Sequence, residues 1–270
     1  IRIPSACCGV FGLKTTFGRI PLEGVWPLAP SLDSVGPLAA NVQMLEAAMQ
    51  LLEPGFAKVP ISKPKVAVLD NSGSPEVLAG IEAILGLVTT SVTRIDDPGL
   101  DSAREAGLCL MLGEALKSNR GLLDESHRLD PAVVGRLLKA ASFLESDFKH
   151  AAEIKEIFTA RINDRLGVHD FLALPTLRIP VPSLYNAGGA PLNANTMPFN
   201  LAGLPAISIP VSVTRSLINT LNLDLSQLKL GFRADGAESM PISLQIVGPM
   251  GSEEELIGFA QIIESVLGDI

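Results

Sequence analysis

Two stretches constrain this chain most: AISIPVSV at 206–213 and ISLQIVGP at 242–249. Both are β-branched and almost free of charge. A strand with one wet face alternates polar and apolar residues, whereas a nearly continuous apolar run belongs to a sheet covered on both faces. KVAVLD at 65–70 and DFLALPTL at 170–177 have the same character, and VTRI at 92–95 is a weaker strand. Helix signals lie between them. Asn41 stands as a cap before Val42, Leu45, Met49 and Leu52, which share one face, and Pro54-Gly55 stops that helix. Ser74-Pro75 opens the next, with Val77, Ile81, Leu85 and Val88 as its stripe. Asp101 and Asp130-Pro131 open two more, and a longer helix runs from about Asp147 to Leu166. Ser252 and Glu255 have the spacing of a capping box before a closing helix that turns Leu256, Phe259, Ile263 and Val266 inward. Strands alternating with helices predict an α/β fold, a mixed and largely covered β-sheet flanked by helices. The helices within about 101–166 form a block over one face or one end. Residues 1–40, dense in Gly and Pro, read as ordered loop and turn with short helical or extended pieces. The polar stretch 214–240 reads as a long loop or weak hairpin.

Composition narrows the partners. The chain has 270 residues, 47% apolar and 19% charged, which suits a packed core and is far too apolar for disorder. Aromatics make up only 4%, so aliphatic residues and Ala must fill that core. With 29 acidic and 21 basic side chains the net charge is −8, which argues against nucleic acid or an anionic membrane as partner. No stretch approaches the roughly 18–20 apolar residues of a membrane span. The opening IRIPSACCGVFGLK is broken by Pro4, Gly9 and Gly12, unlike a signal peptide. It also lacks a Met and starts inside what reads as an element already under way, as a fragment would. Three cysteines, Cys7, Cys8 and Cys109, make no disulfide framework; they suit a reducing cytoplasm and are expected as buried thiols. His127, His150 and His169 stand apart with no HExxH or CxxC, so no metal site is expected. Glycine-rich phosphate loops and GxSxG are absent. Asp96-Asp97 and Glu253-Glu254-Glu255 read as solvated helix starts.

What remains is a series of short segments in a fixed order: IRIPSACCGVFGLKTTFGRIP at 1–21, GVWPLAPSLDSVGPLA at 24–39, ALPTLRIPVP at 173–182, NTMPFNLAGLPAISIPV at 195–211 and MPISLQIVGPMGSEEELI at 240–257. Together they resemble the amidase signature family of serine amidohydrolases, from the first residue to the last. The resemblance implies the C-terminal part of a single amidase domain over 1–270. In that family a Gly-Gly-Ser turn directly precedes the segment matching Ile1-Arg2-Ile3-Pro4, and its serine is the nucleophile. The cis-bonded serine and the lysine of the triad lie further upstream. By this resemblance none of the catalytic residues falls in this chain. The implied activity is cofactor-free, metal-free hydrolysis of a carboxamide C–N bond to carboxylate plus ammonia or amine, through an acyl-enzyme on serine. The alternatives are an amidotransferase A subunit, which takes ammonia from glutamine for tRNA-linked amidation, and a non-catalytic fragment or homologue. The expected partners are a small amide substrate and the N-terminal half of the same enzyme, with the oligomeric state open.

The same resemblance singles out residues around the site. Arg2 follows the nucleophile position and is expected behind it, fixing the turn by hydrogen bonds to a carboxylate or to carbonyls. Asp33, between Leu32 and Val35, is expected to accept hydrogen bonds near the site. Trp26 either lines the acyl pocket or is simply core. Asn193, Asn195 and Thr196, ahead of the Pro198-Phe199-Asn200 motif, are expected to bind substrate. Relatives that use glutamine carry an aspartate near Asn193 that holds the glutamine amine, so an asparagine there weakens the amidotransferase reading. Lys14, in the Gly12-Leu13-Lys14 motif, is not the family's catalytic lysine and has a structural or solvated role. Phe199, Asn200, Gly203 and Pro205 form the framework that turns the chain into the strand at 206. The apolar Ile1, Ile3 and Val10 are expected to be buried at the floor of the cleft.

Overall fold

A computed structural model describes residues 1–179, 181–182, 185, 189–212 and 241–268. Its centre is one sheet of seven strands: β1 Phe11–Lys14, β2 Leu38–Ala39, β3 Lys65–Leu69, β4 Ser91–Ile95, β5 Phe171–Pro175, β6 Ala206–Ser212 and β7 Pro241–Val247. Their order is β2-β1-β6-β7-β5-β3-β4. β3 runs parallel to β4 and β5, and the other pairs are antiparallel, so the sheet is mixed. The four runs read as strongest strands therefore share one sheet, as expected.

Helices cover both faces. On one side lie α2 (Val42–Leu52), α3 (Pro75–Val88) and α8 (Glu253–Gly268). On the other lie α4 (Leu100–Asn119), α6 (Glu145–Leu166) and the short α7 (Met197–Leu201). α5 (Pro131–Ala140) packs against α4. The strands alternate between two cores: Val66 and Val68 join the first, Ala67 and Leu69 the second. Burying one such aliphatic side chain is worth roughly 1.5–3 kcal/mol, so both faces of the sheet contribute to holding the fold. Asn41 caps α2 by accepting from the Met44 amide at 2.8 Å, as its position predicts.

Several helix starts differ from the sequence reading. α4 begins at Leu100 because Asp97 Oδ1 accepts from the amides of Gly99 and Leu100, each at 2.8 Å. α6 begins at Glu145, since Asp147 Oδ2 reaches back to the Leu144 amide at 2.8 Å. At α8 the Ser252 hydroxyl donates to the Pro249 carbonyl at 2.8 Å, in place of the expected box with Glu255. Glu253 is not solvated but 0% exposed. It accepts from the Thr16 amide at 2.6 Å and from Arg19 at 2.7 Å. Arg19 also binds Glu53 and Glu254, so a surface-looking acidic run is in part an internal ion cluster.

The cysteines are not buried either: Cys8 is exposed and Cys7 and Cys109 are half-buried. The first helix, α1 (Arg2–Cys8), turns Arg2, Ser5 and Ala6 inward at helical spacing, which leaves Cys7 and Cys8 on its outer side. Ile1, Ile3 and Val10 are likewise half-buried. The segment 214–240 lies outside the described residues. Among the described residues no helix is long and apolar enough to cross a membrane.

Candidate functional site

The runs at β6 and β7 are not uniformly apolar. Ser208, Ser243 and Gln245 recur with period two, so they project from one face of that pair, the face toward α4 and α6. Thr176 joins them, with its hydroxyl 3.1 Å from that of Ser208 and 2.9 Å from that of Ser243. Ser208 and Ser243 are 2.6 Å apart, so three buried hydroxyls satisfy one another. Gln245 lies one step along β7. Its Nε2 donates to the Asn195 carbonyl at 2.8 Å, and its Oε1 accepts from Arg2.

Arg2 is the keystone. It is 3% exposed, and its guanidinium donates to Gln245, to the Thr196 carbonyl at 2.8 Å and to Asn200 Oδ1. One side chain thereby ties α1 to β7, to the turn at 193–196 and to α7. α1 can lie this close because Gly12 passes beneath it: a Cβ there would sit 1.9 Å from Ser5 Oγ. Gly36 likewise passes close to β1, where a Cβ would meet the Leu13 carbonyl oxygen at 2.0 Å.

These elements enclose a cavity of about 390 Å³, lined by Ile1, Arg2, Lys14, Asp33, Asn193, Thr196 and Asn200 among others. Asp33 Oδ2 accepts from the amides of Leu28 and Ala29 at 2.9 and 3.0 Å, folding its loop into a clasp. Asn200 Nδ2 donates to the Leu32 carbonyl at 3.3 Å, and Glu114 of α4 accepts from the Ser31 amide at 2.8 Å and from its hydroxyl. Lys14 is 2% exposed, and its Nζ donates to the carbonyls of Thr15 and Leu204, each at 2.8 Å. Burial, and secondarily the nearby Arg2, pull the Lys14 ammonium down to about 7, while Glu253 pushes the other way. Burial also lowers Arg2, to about 9. Neither cation has a carboxylate partner among the described residues. No serine hydroxyl bonds Lys14 among the described residues either. Asn193 accepts through Oδ1 from Arg104 Nε of α4, at 3.0 Å.

Of the residues singled out from sequence, Arg2, Asp33, Asn193 and Thr196 come together at this cavity. Arg2 meets amide and backbone carbonyls but no carboxylate. Asn195 and Trp26 are not among the lining residues. Asn195 is fully buried and fully used: Nδ2 donates to the carbonyls of Ser72 and Pro175, each at 2.7 Å, and Oδ1 accepts from Arg178 at 2.8 Å. Trp26 is 70% exposed, and its indole donates to Asn119 at 2.8 Å. Sequence reasoning missed Gln245, Arg104 and Glu114, and placed Lys14 and Asn200 outside the site. Gln245 had a signal, as the lone amide inside an apolar strand run. Arg104 and Glu114, on an ordinary-looking helix, had none.

A family model described as Amidase matches residues 1–76 and 117–257. The 2-amino-5-chloromuconic acid deaminase of Comamonas testosteroni is 28% identical over 99% of this chain and 58% of its own length. The Glutamyl-tRNA(Gln) amidotransferase A subunit of Sulfolobus acidocaldarius is 25% identical over 98% of this chain and 63% of its own. A crystal structure of an amidase superimposes with a TM-score of 0.80 at 24% identity, covering 99% of this chain and 61% of that one. The chain thus spans about three-fifths of the length of the curated relatives it matches.

Proposed function

This chain belongs to the amidase family, and from that premise we propose that it supplies the acyl-binding part of a cytoplasmic enzyme that hydrolyses a small carboxamide. The observation that carries the reading is the Arg2 anchor, a buried guanidinium that locks the first turn of α1 over a cavity lined by Asp33, Asn193 and Thr196. In this reading the nucleophile is a serine in a segment preceding Ile1, and the cis-bonded serine and lysine lie further upstream. The serine oxygen attacks the amide carbon, and its proton passes through the second serine to the lysine. The C–N bond then breaks, and the amine leaves with that proton. Water adds to the acyl carbon and releases the carboxylate and the serine. Arg2 and Asp33 work at one remove, by holding α1 and the 28–33 loop. Asn193 and Thr196 face the acyl group. Asn195 and Trp26 keep only supporting roles here, since one amide is spent on the framework and the other side chain stands in solvent. The three free thiols fit a reducing compartment.

A second reading has support in the relatives that are amidotransferase A subunits. It needs a partner protein and tRNA, whereas the first needs neither. Incubating the full-length protein with simple carboxamides and measuring ammonia tests both. Release without any partner supports the amidase reading. Release from glutamine only, and only with partner subunits, replaces it with the second.

A further inference from the structure

We infer that the cavity selects amides whose acyl chain ends in a carboxylate or another strong acceptor, and that Arg104 sets this selectivity by fixing the amide of Asn193. The inference deepens the proposed hydrolysis and rests on it for the identity of the reacting amide. An arginine only donates, so the oxygen of Asn193 is the atom that faces Arg104, at 3.0 Å. The amide nitrogen, without a partner among the described residues, is then the polar atom left for the cavity that Asn193 lines. An asparagine free to rotate serves donors and acceptors alike. One held by an arginine offers only N–H.

Two further groups of the lining have the same polarity. Arg2 and Lys14 are buried cations whose hydrogen bonds all end on neutral oxygens. Asp33 brings the one carboxylate of the lining, and its Oδ2 is engaged by the amides of Leu28 and Ala29. An ammonium entering here meets the Arg2 guanidinium, the Lys14 side chain and an N–H, against the single carboxylate of Asp33; a carboxylate meets the complement of the first three. A site that rejects one sign in this way gains selectivity from the repulsion as well as from the attraction.

The test compares three carboxamides of nearly equal shape: succinamate, butyramide and β-alaninamide. Binding to the full-length protein is followed by calorimetry and turnover by ammonia release. Succinamate is expected to bind at least tenfold tighter than β-alaninamide, with butyramide between. Arg104→Met should shrink that ratio at least fivefold, with the change carried more by KM than by kcat. Arg104→Lys, which keeps a donor, should restore most of the ratio. Asn193→Asp should bring the two charged amides level or reverse them. Equal or tighter binding of β-alaninamide by the unaltered protein overturns the inference, and so does failure to bind any of the three. A ratio unchanged in folded Arg104→Met overturns the role of Arg104. Selective binding of succinamate with no ammonia from any amide would sink the hydrolase reading and leave the selectivity standing.

Discussion

Replacing Arg2 with Met removes the one side chain that joins α1, β7 and α7. It orphans two acceptors, Gln245 Oε1 and Asn200 Oδ1, and leaves the Thr196 carbonyl with only the Asn200 amide at 3.4 Å. A buried acceptor left unpaired costs about 1–3 kcal/mol. Gln245 is fully buried and bears that cost in full, whereas Thr196 and Asn200 line the cavity, where water reaches them. Relief of the desolvated guanidinium offsets part of the loss. The sum is about 2–3 kcal/mol, a sizeable share of the ~5–15 kcal/mol that holds a typical domain together. Urea unfolding followed by far-UV circular dichroism measures it. The companion test is Gln245→Leu in both backgrounds. If the orphaned amide causes the damage, the double variant should be less destabilised than the sum of the singles by about 1 kcal/mol or more. A loss below about 1 kcal/mol for Arg2→Met, or strictly additive singles, would refute this account of the anchor.

Lys14 carries a pH signature. Its folded value lies near 7, well below its ordinary 10.5, so between those limits the unfolded chain binds more protons and stability must rise with pH. Lys14→Met should remove that rise, of up to about 1.4 kcal/mol per pH unit, in urea titrations at pH 7–10; equal slopes would contradict it. Arg19→Met leaves Glu253 buried without its cation and should cost about 3–5 kcal/mol by the same assay. Arg19 also holds the Glu254 carboxyl below its ordinary range, so that contribution is present above about pH 4.5 and fades as pH falls through the lowered folded value. Stability should therefore depend less steeply on acid in Arg19→Met than in the unaltered protein. The 270-residue chain by itself should turn over no chromogenic anilide, since the proposed nucleophile, relay and base all lie outside it; turnover that persists through further purification would overturn that.

The sheet was legible because a strand covered on both faces has few sequences open to it: the runs at 65–70, 170–177, 206–213 and 242–249 all landed in it. Asn41 and Ser74-Pro75 marked their helix starts because capping is local chemistry. Where a side chain from outside the expected pattern took the orphan amides, as Asp97 did at α4, the boundary moved. Glu253 was misread because its burial depends on Arg19, 234 residues away. The site was legible in part. Ordered motifs pointed to Arg2, Asp33, Asn193 and Thr196. They could not show that Asn195 spends its amide on Ser72 and Pro175, or that Arg104 orients Asn193, because both are long-range pairings.

The central claim is hydrolysis through a serine acyl-enzyme built over this cavity. Acid-quenching the full-length protein during turnover of an activated amide and mapping the acylated peptide by mass spectrometry tests it most directly. The account predicts ammonia or amine release together with one acyl group per molecule, on a serine N-terminal to Ile1 and adjoining α1. An acyl group on Cys7, Cys8, Ser34 or any other residue of 1–270, or turnover with no acylated serine under conditions that trap acyl-enzymes, would contradict it.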